Sequence, residues 1–164
     1  MKTRSIISLP AFFLLAGLFL FSCNKKTLIY SGEAEPEGFV LSFQKPEVYE
    51  FDIEEAGKFS LALDIIYFSE QMQNLNGKLP MYYILEGPGL GDGADKRFEV
   101  EVQEDTGEWR GELQDNEHDR QFEDVFQKDL QLEAGHFKLK LYADSQKEGE
   151  AVQGMVSITL KVYQ

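Results

Sequence analysis

The sequence predicts an all-β protein, an antiparallel β-sandwich of about eight or nine strands. The first observation is a period of two, because four segments from residue 59 onward alternate apolar and polar side chains. Such alternation is typical of strands that cover a shared core with one face and meet water with the other. The second observation is that turn-forming residues separate these segments at short intervals. Both observations fit a jelly-roll or an Ig-like strand order equally well.

The strands are predicted in chain order from these patterns. The clearest alternating segments are 59–67, 97–102, 136–141 and 156–162, and the shorter candidates are 40–43, 48–53, 81–85, 108–113 and 126–132. Turns are predicted at Gly57, Asn76-Gly77, 87–89, Thr106-Gly107, Ala134-Gly135 and Gly149. One helical turn is predicted in the connection near residue 122, where Phe122, Val125 and Phe126 follow the spacing i, i+3, i+4.

The first 22 residues have the pattern of a secretory signal peptide. Lys2 and Arg4 precede an apolar run from Ile6 to Phe21, and the chain's single cysteine follows the small residue Ser22. Leu20-Phe21-Ser22-Cys23 indicates a lipoprotein signal, so we expect Cys23 to become the new N-terminus and to carry acyl chains such as palmitate. A plain signal peptide and an uncleaved anchor are the alternatives. The run is shorter than the roughly 20 apolar residues of a spanning helix, which disfavours the anchor.

The chain is therefore predicted to have three parts. Residues 1–22 are the signal peptide, 23–37 are the lipidated cysteine and a flexible tether, and 38–164 are the β-sandwich domain. The tether is predicted because residues 24–38 hold few apolar residues, one proline and two glycines. Within it, Leu28-Ile29-Tyr30 could form a short strand or a docking point.

The net charge of −13 restricts the classes of partner. Residues 1–22 contain two basic and no acidic residues, so the processed chain is more negative still. Phosphate backbones would repel it, which excludes nucleic acid as an expected partner. Anionic headgroups would repel it too, so membrane attachment must rest on the acyl chains of Cys23. With that cysteine acylated, none remains for a disulfide, a thiol nucleophile or a metal site.

No catalytic residues and no cofactor are predicted, so the chain is not expected to be an enzyme. It has no Gly-x-Ser-x-Gly elbow, and His118 and His136 lack a zinc-binding spacing. The glycine-rich stretch 87–93 lacks the Lys-Ser/Thr ending of a P-loop and the spacing of a dinucleotide fingerprint. A hydrolase remains as an alternative, supported only by the 29 acidic residues that make carboxylate pairs inevitable.

One acidic stretch contains the type of oxygen ligand that calcium prefers. Asp115, Glu117 and Asp119 follow one another at alternate positions. The spacing is not that of an EF-hand, so a solvated acidic loop is the favoured interpretation and no metal is expected.

The chain's single tryptophan, Trp109, lies between Gly107 and Gly111. Together with Tyr82 and Tyr83 it could form a binding surface that stacks on a sugar or anchors a protein partner. A carbohydrate-binding lipoprotein is therefore the alternative function. The favoured interpretation is that Trp109 caps one end of the sandwich core.

The order of features along the chain resembles the gliding-motility lipoprotein GldH family of the Bacteroidetes. The motifs that carry the likeness are Cys23, Phe59-Ser-Leu-Ala-Leu63, Tyr82-Tyr-Ile-Leu-Glu-Gly-Pro88, Glu104-Asp-Thr-Gly-Glu-Trp-Arg-Gly111 and Leu132-Glu-Ala-Gly-His-Phe-Lys-Leu139, before a final alternating strand. The chain departs from the family pattern at 65–69 and 143–149, as a divergent member would.

The resemblance implies a cell-envelope lipoprotein in the outer membrane or on the periplasmic face of the inner membrane. Its implied partners are envelope proteins of a motility or type IX secretion complex. The resemblance implies no enzymatic activity and assigns no catalytic residue.

Overall fold

The computed structural model describes residues 26–91, 93–144 and 151–164. Their strands are β1 (Leu28–Ala34), β2 (Val40–Leu41), β3 (Glu47–Ile53), β4 (Gly57–Phe68), β5 (Lys78–Glu86), β6 (Ala94–Glu101), β7 (Glu112–Leu113), β8 (Asp119–Leu132), β9 (Gly135–Ala143), β10 (Val152–Gln153) and β11 (Met155–Tyr163). Short 3₁₀ helices span Glu37–Phe39 and Ser69–Leu75. Within the described ranges, no helix has the length and apolar character needed to cross a bilayer.

The strands form a two-layer antiparallel sandwich, which confirms the predicted fold class. One sheet has the order β1-β11-β4-β8-β7, and the facing sheet has the order β3-β9-β5-β6. β2 and β10 form a separate two-stranded pair. Three of the described strands are only two residues long, and the longer ones build the two main sheets.

The strand order is that of a jelly roll, which the sequence left open against an Ig-like order. Among the eight long strands, the first pairs with the last, the second with the seventh, the third with the sixth and the fourth with the fifth. This nesting is one long antiparallel hairpin rolled into two sheets. The chain's first and last described strands are therefore neighbours, far apart in sequence and adjacent in space.

The core lies between the two sheets and follows the predicted alternation. On β4, every second side chain from Phe59 to Tyr67 is buried. β9 and β11 bury the alternate residues of their own apolar series. The long central strand β4 has partners on both sides, which explains why its alternation is the clearest in the sequence.

Tyr49 joins the two layers. It lies on β3, and its hydroxyl donates a 2.8 Å hydrogen bond to the carbonyl oxygen of Ile158 on β11 in the other sheet. Burial raises the pKa of the Tyr49 hydroxyl far above its ordinary value. Burial likewise raises the pKa of Tyr67 to about 12, although nearby Arg120 and Arg110 oppose the shift.

Because the pKa values of these two tyrosines are raised in the folded state, we expect the protein to lose stability at alkaline pH. A tyrosine in the unfolded chain ionises near pH 10, whereas Tyr49 and Tyr67 keep their protons in the folded state. Above pH 10 the unfolded state therefore binds fewer protons, and each tyrosine lowers the free energy of unfolding by about 1.4 kcal/mol per pH unit. Urea unfolding at pH 8, 10 and 11 measures the effect. Tyr49→Phe and Tyr67→Phe should each show a shallower loss above pH 10, and unchanged slopes would contradict the assignment.

The strand ends divide the molecule's loops into two sets. Leu28, Gly57 and Leu132 lie together at one end, which we call the N-terminal end. It also carries the turns at 54–56, 87–93 and 133–134. The opposite end carries the Ser69–Leu75 helix, the loop at 102–111 and the turn before β8.

The structure corrects the predicted tether. Residues 28–34 of the segment 23–37 are not flexible, because β1 pairs with β11 from Leu28↔Tyr163 to Ala34↔Ile158. The domain therefore begins at Leu28 rather than at residue 38. β1 is an edge strand whose inward residues Tyr30, Gly32 and Ala34 are only partly buried, and because two of them are small, the hydrophobic alternation is weak and the composition resembles that of a loop.

One further prediction of local structure is wrong, and two are confirmed only in part. The helical turn predicted at Phe122, Val125 and Phe126 is part of β8, which begins at Asp119 and pairs with β4 over its length. Phe122 and Phe126, four residues apart, both pack against the core from this strand, so part of the helical spacing is also compatible with a strand. The strand predicted at 108–113 is reduced to Glu112–Leu113, and the strand at 40–43 is reduced to Val40–Leu41.

Candidate functional site

Trp109 packs against the core at the end opposite Leu28. Its backbone forms an isolated bridge with Gln103, and its ring lies 6.2 Å from the ring of Tyr67. The side chain is half-buried. This geometry agrees with the capping interpretation, since one face of the indole covers the end of the sandwich.

Tyr67 organises the loop that carries Trp109, and the sequence did not single it out. Its side chain is completely buried, and its hydroxyl donates to the carbonyl oxygens of Val102 (3.1 Å) and Arg110 (2.8 Å). The Tyr67 hydroxyl thus connects both ends of this loop to β4. The only sequence signal was the position of Tyr67 at the end of the alternating run, which does not reveal a hydrogen-bonding role.

Arg110 fixes the same loop on its other side. Its guanidinium donates a 2.8 Å hydrogen bond to the carbonyl oxygen of Glu101 and lies 4.8 Å from the centre of the Phe122 ring. A carboxylate oxygen of Asp124 is 3.7 Å away. Trp109 and Arg110 are therefore held by the fold itself, so their positions are explained without a ligand.

The predicted surface of Trp109, Tyr82 and Tyr83 does not form. Tyr83 is 2% exposed and lies in the core against Phe98 and Phe126. Tyr82 points from the opposite face of β5, because successive side chains of a strand alternate between faces. The prediction was wrong on this point, and the rule of alternation would have separated the two tyrosines.

Tyr82 instead has a neighbour that the sequence analysis missed. Its ring lies 5.7 Å from that of Tyr142 on the adjacent strand β9. Both side chains are half-exposed on the outer face of the sheet. The two rings are neighbours because β5 pairs with β9, which places Tyr82 opposite Tyr142, 60 residues later in the chain. No local sequence pattern reveals this pairing.

The acidic stretch before β8 forms a tight turn. The side-chain oxygen of Asn116 accepts hydrogen bonds from the backbone N–H groups of His118 (3.1 Å) and Asp119 (2.9 Å), and its amide donates to the Asp119 carboxylate. Asp119 is 7% exposed, whereas Asp115 and Glu117 are exposed. The described residues contain no cluster of three or more side chains suited to a metal ion. The side-chain amide of Asn116 organises this turn.

The outer faces of both sheets carry ion pairs. Lys161 donates to Asp64 (2.9 Å) and Glu123 (2.7 Å) on the face of the five-stranded sheet. Burial lowers the pKa of Lys161, but these two hydrogen bonds raise it more, so the ammonium stays charged. On the four-stranded sheet, Lys138 pairs with Glu50 at 2.9 Å. The Lys138–Glu50 pair is exposed and contributes little to stability, because water screens it, whereas the Lys161–Asp64 pair is largely buried.

A cavity of about 800 Å³ opens at the end opposite Leu28. Its lining includes Leu75, Lys78, Arg97, Phe98, Asp144 and Val152. Arg97 is paired with Asp144 at 3.3 Å, and Lys78 is paired with Glu99 at 3.0 Å. Because the charges of the wall are paired with one another, the cavity favours neither an anion nor a cation.

Three large apolar side chains are exposed within one stretch of ten residues. Phe39 is 49% exposed, Phe43 42% and Val48 46%. They lie on the segment that leads from the first 3₁₀ helix through β2 into β3, and we call them the exposed apolar segment. They are close together in the sequence, and their exposed side chains provide apolar area for a contact with another protein.

The fold and its surface define the class of this protein, a two-layer antiparallel jelly roll with ion-paired outer faces. Cys23, the predicted lipidation residue, lies outside the described residues. No protein-family model matches the chain, and a search of curated proteins finds no significant relative.

Proposed function

We propose that the chain is a lipid-anchored, non-catalytic lipoprotein of the cell envelope that acts through contacts with other proteins. The N-terminal pattern that ends at Cys23 supports the lipid anchor. The exposed apolar segment supports the protein contact and is the observation that carries the proposal. The negative charge of the chain favours a partner with a basic surface.

We also propose a relationship to the gliding-motility lipoprotein GldH family, on the motifs quoted above. Three of these motifs lie on regular elements of the domain: Phe59–Leu63 on β4, Tyr82–Glu86 on β5 and Gly135–Leu139 on β9. The relationship suggests a place among the envelope proteins of a motility or type IX secretion complex. It suggests no cofactor and no reaction.

Affinity purification of the tagged, lipidated protein from its native membranes tests the proposal. Wild type is expected to retain a reproducible set of envelope secretion or motility proteins, identified by mass spectrometry. The double variant Phe43→Ser/Val48→Thr should lose this set, because it removes two of the three exposed apolar contacts. Leu113→Ser is the matched control, since Leu113 is equally exposed at 52% but lies on β7.

Two results would contradict the proposal. The protein could purify alone, or the same partners could remain bound to the double variant as to Leu113→Ser. Urea unfolding of each variant checks that a lost partner does not reflect a lost fold.

Carbohydrate binding is the second candidate, and the Tyr82–Tyr142 pair is the observation that favours it. Two half-exposed rings 5.7 Å apart on a sheet face provide apolar area for a sugar ring. Tyr82→Ala and Tyr142→Ala should then both abolish retention on cell-wall polysaccharide, whereas Trp109→Ala should not. Unchanged retention in both tyrosine variants would remove this candidate.

A further inference from the structure

We propose that the lipid holds the sandwich upright on the bilayer, with the N-terminal end facing the membrane and the opposite end facing away. This inference rests on the proposed lipidation of Cys23 and deepens it by assigning the membrane-facing surface. The basis is the start of β1 at Leu28, which leaves only residues 24–27 between the cysteine and the first strand.

The length of this connection limits how far the start of the domain can lie from the membrane surface. A chain extends at most about 3.6 Å per residue, so five residue steps allow about 18 Å between the Cα atoms of Cys23 and Leu28. The connection is also fixed at its end, because Thr27 and Gln164 exchange two backbone hydrogen bonds of 2.9 Å. Leu28 must therefore stay close to the membrane surface, and the turns at its end of the sandwich stay close with it.

The opposite end lies much farther from the membrane. β4 runs from one end to the other with 12 residues. At about 3.3 Å per residue, it separates the ends by about 40 Å. An upright domain thus presents the cavity, Trp109 and the Ser69–Leu75 helix to the space beyond the lipid headgroups.

The charge of the N-terminal end keeps it above the bilayer rather than inserted into it. Asp52, Glu54, Glu55 and Glu133 are exposed there and outnumber Lys26 and Lys58, which are exposed at the same end. Anionic headgroups repel these carboxylates. Among the described residues of this end, the large exposed apolar side chains are Leu28 (49%) and Ile29 (38%), which lie at one corner and do not offset this repulsion.

A domain lying on its side is the competing arrangement. In that case the edge formed by β1 would rest on the bilayer, and both ends of β1 would be equally near it. Glu35 follows the last residue of β1 and is exposed, so it distinguishes the two arrangements from each other.

Energy transfer from single labelled cysteines to the membrane surface tests the inference. The chain's one cysteine is the lipidated residue, whose sulfur is then a thioether and does not react with maleimide. Three exposed glutamates provide matched positions: Glu55→Cys at the N-terminal end, Glu35→Cys at the far end of β1 and Glu70→Cys at the opposite end. Each variant carries fluorescein maleimide and is reconstituted in phosphatidylcholine vesicles with a minor fraction of phosphatidylglycerol and rhodamine-labelled phosphatidylethanolamine.

The expected result is several-fold greater transfer at residue 55 than at residues 35 and 70. Equal transfer at 55 and 35 would show a domain on its side, and equal transfer at all three would show free tumbling. Either result overturns the inference. A protein that does not bind the vesicles, with an unmodified Cys23 in its mass spectrum, refutes the proposed lipidation instead.

A lengthened connection supplies the control. A linker of about 20 glycine and serine residues inserted after Lys26 has an r.m.s. length of about 25 Å. This linker should bring the three transfer values together, because the domain can then rotate freely. Transfer values that stay unequal would mean that a surface of the domain, rather than the short connection, sets the orientation.

Discussion

Replacing Cys23 by serine is expected to move the protein from the membrane fraction to the soluble fraction. The acyl chains are the proposed attachment, and each buried CH₂ contributes about 0.8 kcal/mol to it. A hydroxyl cannot form the thioether that carries the lipid, so the whole attachment is lost. Nothing else in the described chain compensates, because its acidic surface is repelled by anionic lipids. Fractionation of cells and detergent phase partition measure the change.

Ser22→Ala is the matched control for this substitution. It keeps a small residue before Cys23, so the protein should stay in the membrane. Neither change should alter the fold, because the domain begins at Leu28, and the urea midpoints of the soluble variant and the detergent-solubilised control should agree. A Cys23→Ser protein whose mass shows that residues 1–22 have been removed, and that still remains in the membrane at the wild-type fraction, would refute lipidation as the means of attachment.

Tyr67→Ala is expected to cost about 3–5 kcal/mol of stability, the range for removal of a large aromatic side chain from a core. The side chain is fully buried, contacts the rings of Trp109 and Phe122, and donates to two loop carbonyls. Its loss leaves a cavity and frees the loop that carries Trp109. Urea unfolding gives the free energy, and a red shift of the single tryptophan's fluorescence reports the loop.

Two further variants separate the contributions of Tyr67. Tyr67→Phe keeps the ring and should cost only about 1–2 kcal/mol, since it removes the hydroxyl's hydrogen bonds to Val102 and Arg110, while the Val102 carbonyl still accepts from the Arg110 N–H. Tyr142→Ala removes a half-exposed tyrosine of the outer face and should change stability far less than Tyr67→Ala. If Tyr67→Ala and Tyr142→Ala cost the same, the role given to Tyr67 would be wrong.

Together, the exposed apolar segment and the proposed upright orientation indicate where on the domain a partner would bind. Phe39 lies near the end of the sandwich opposite Leu28, where its ring contacts Phe68 at the end of β4. In an upright domain this contact lies away from the lipid, within reach of another envelope protein. The pull-down and the energy-transfer experiment are independent, so either proposal can fail without the other.

Local sequence pattern was sufficient for the fold class and for the core of the long strands. Phe59, Leu61 and Leu63 alternate with polar or small neighbours because one face of β4 is buried and the other is not. Turn residues at Gly57, Asn76-Gly77, 87–89 and Ala134-Gly135 supplied the approximate boundaries of β4, β5 and β9. The same alternation, applied to two successive residues, separates Tyr82 from Tyr83.

Edge strands and long-range pairing could not be predicted in this way. β1 has partly exposed faces and a loop-like composition, so only its hydrogen bonds to β11, more than 120 residues later in the chain, identify it as a strand. The choice of a jelly roll over an Ig-like order depends on the same pairings. The turn around Asn116 depends on side-chain hydrogen bonds that composition does not reveal.

The sequence by itself determined that the chain has strands, one acidic domain and an N-terminal pattern typical of a lipoprotein, because these follow from periodicity, charge and composition. Only the tertiary structure decided which strands are neighbours, that Trp109 rests on Tyr67, that Tyr83 is core and Tyr82 is surface, and that the domain starts within a few residues of Cys23. The physical reason is that hydrophobic alternation is a local property of one strand. The partner across a sheet is chosen by the packing of the whole sandwich.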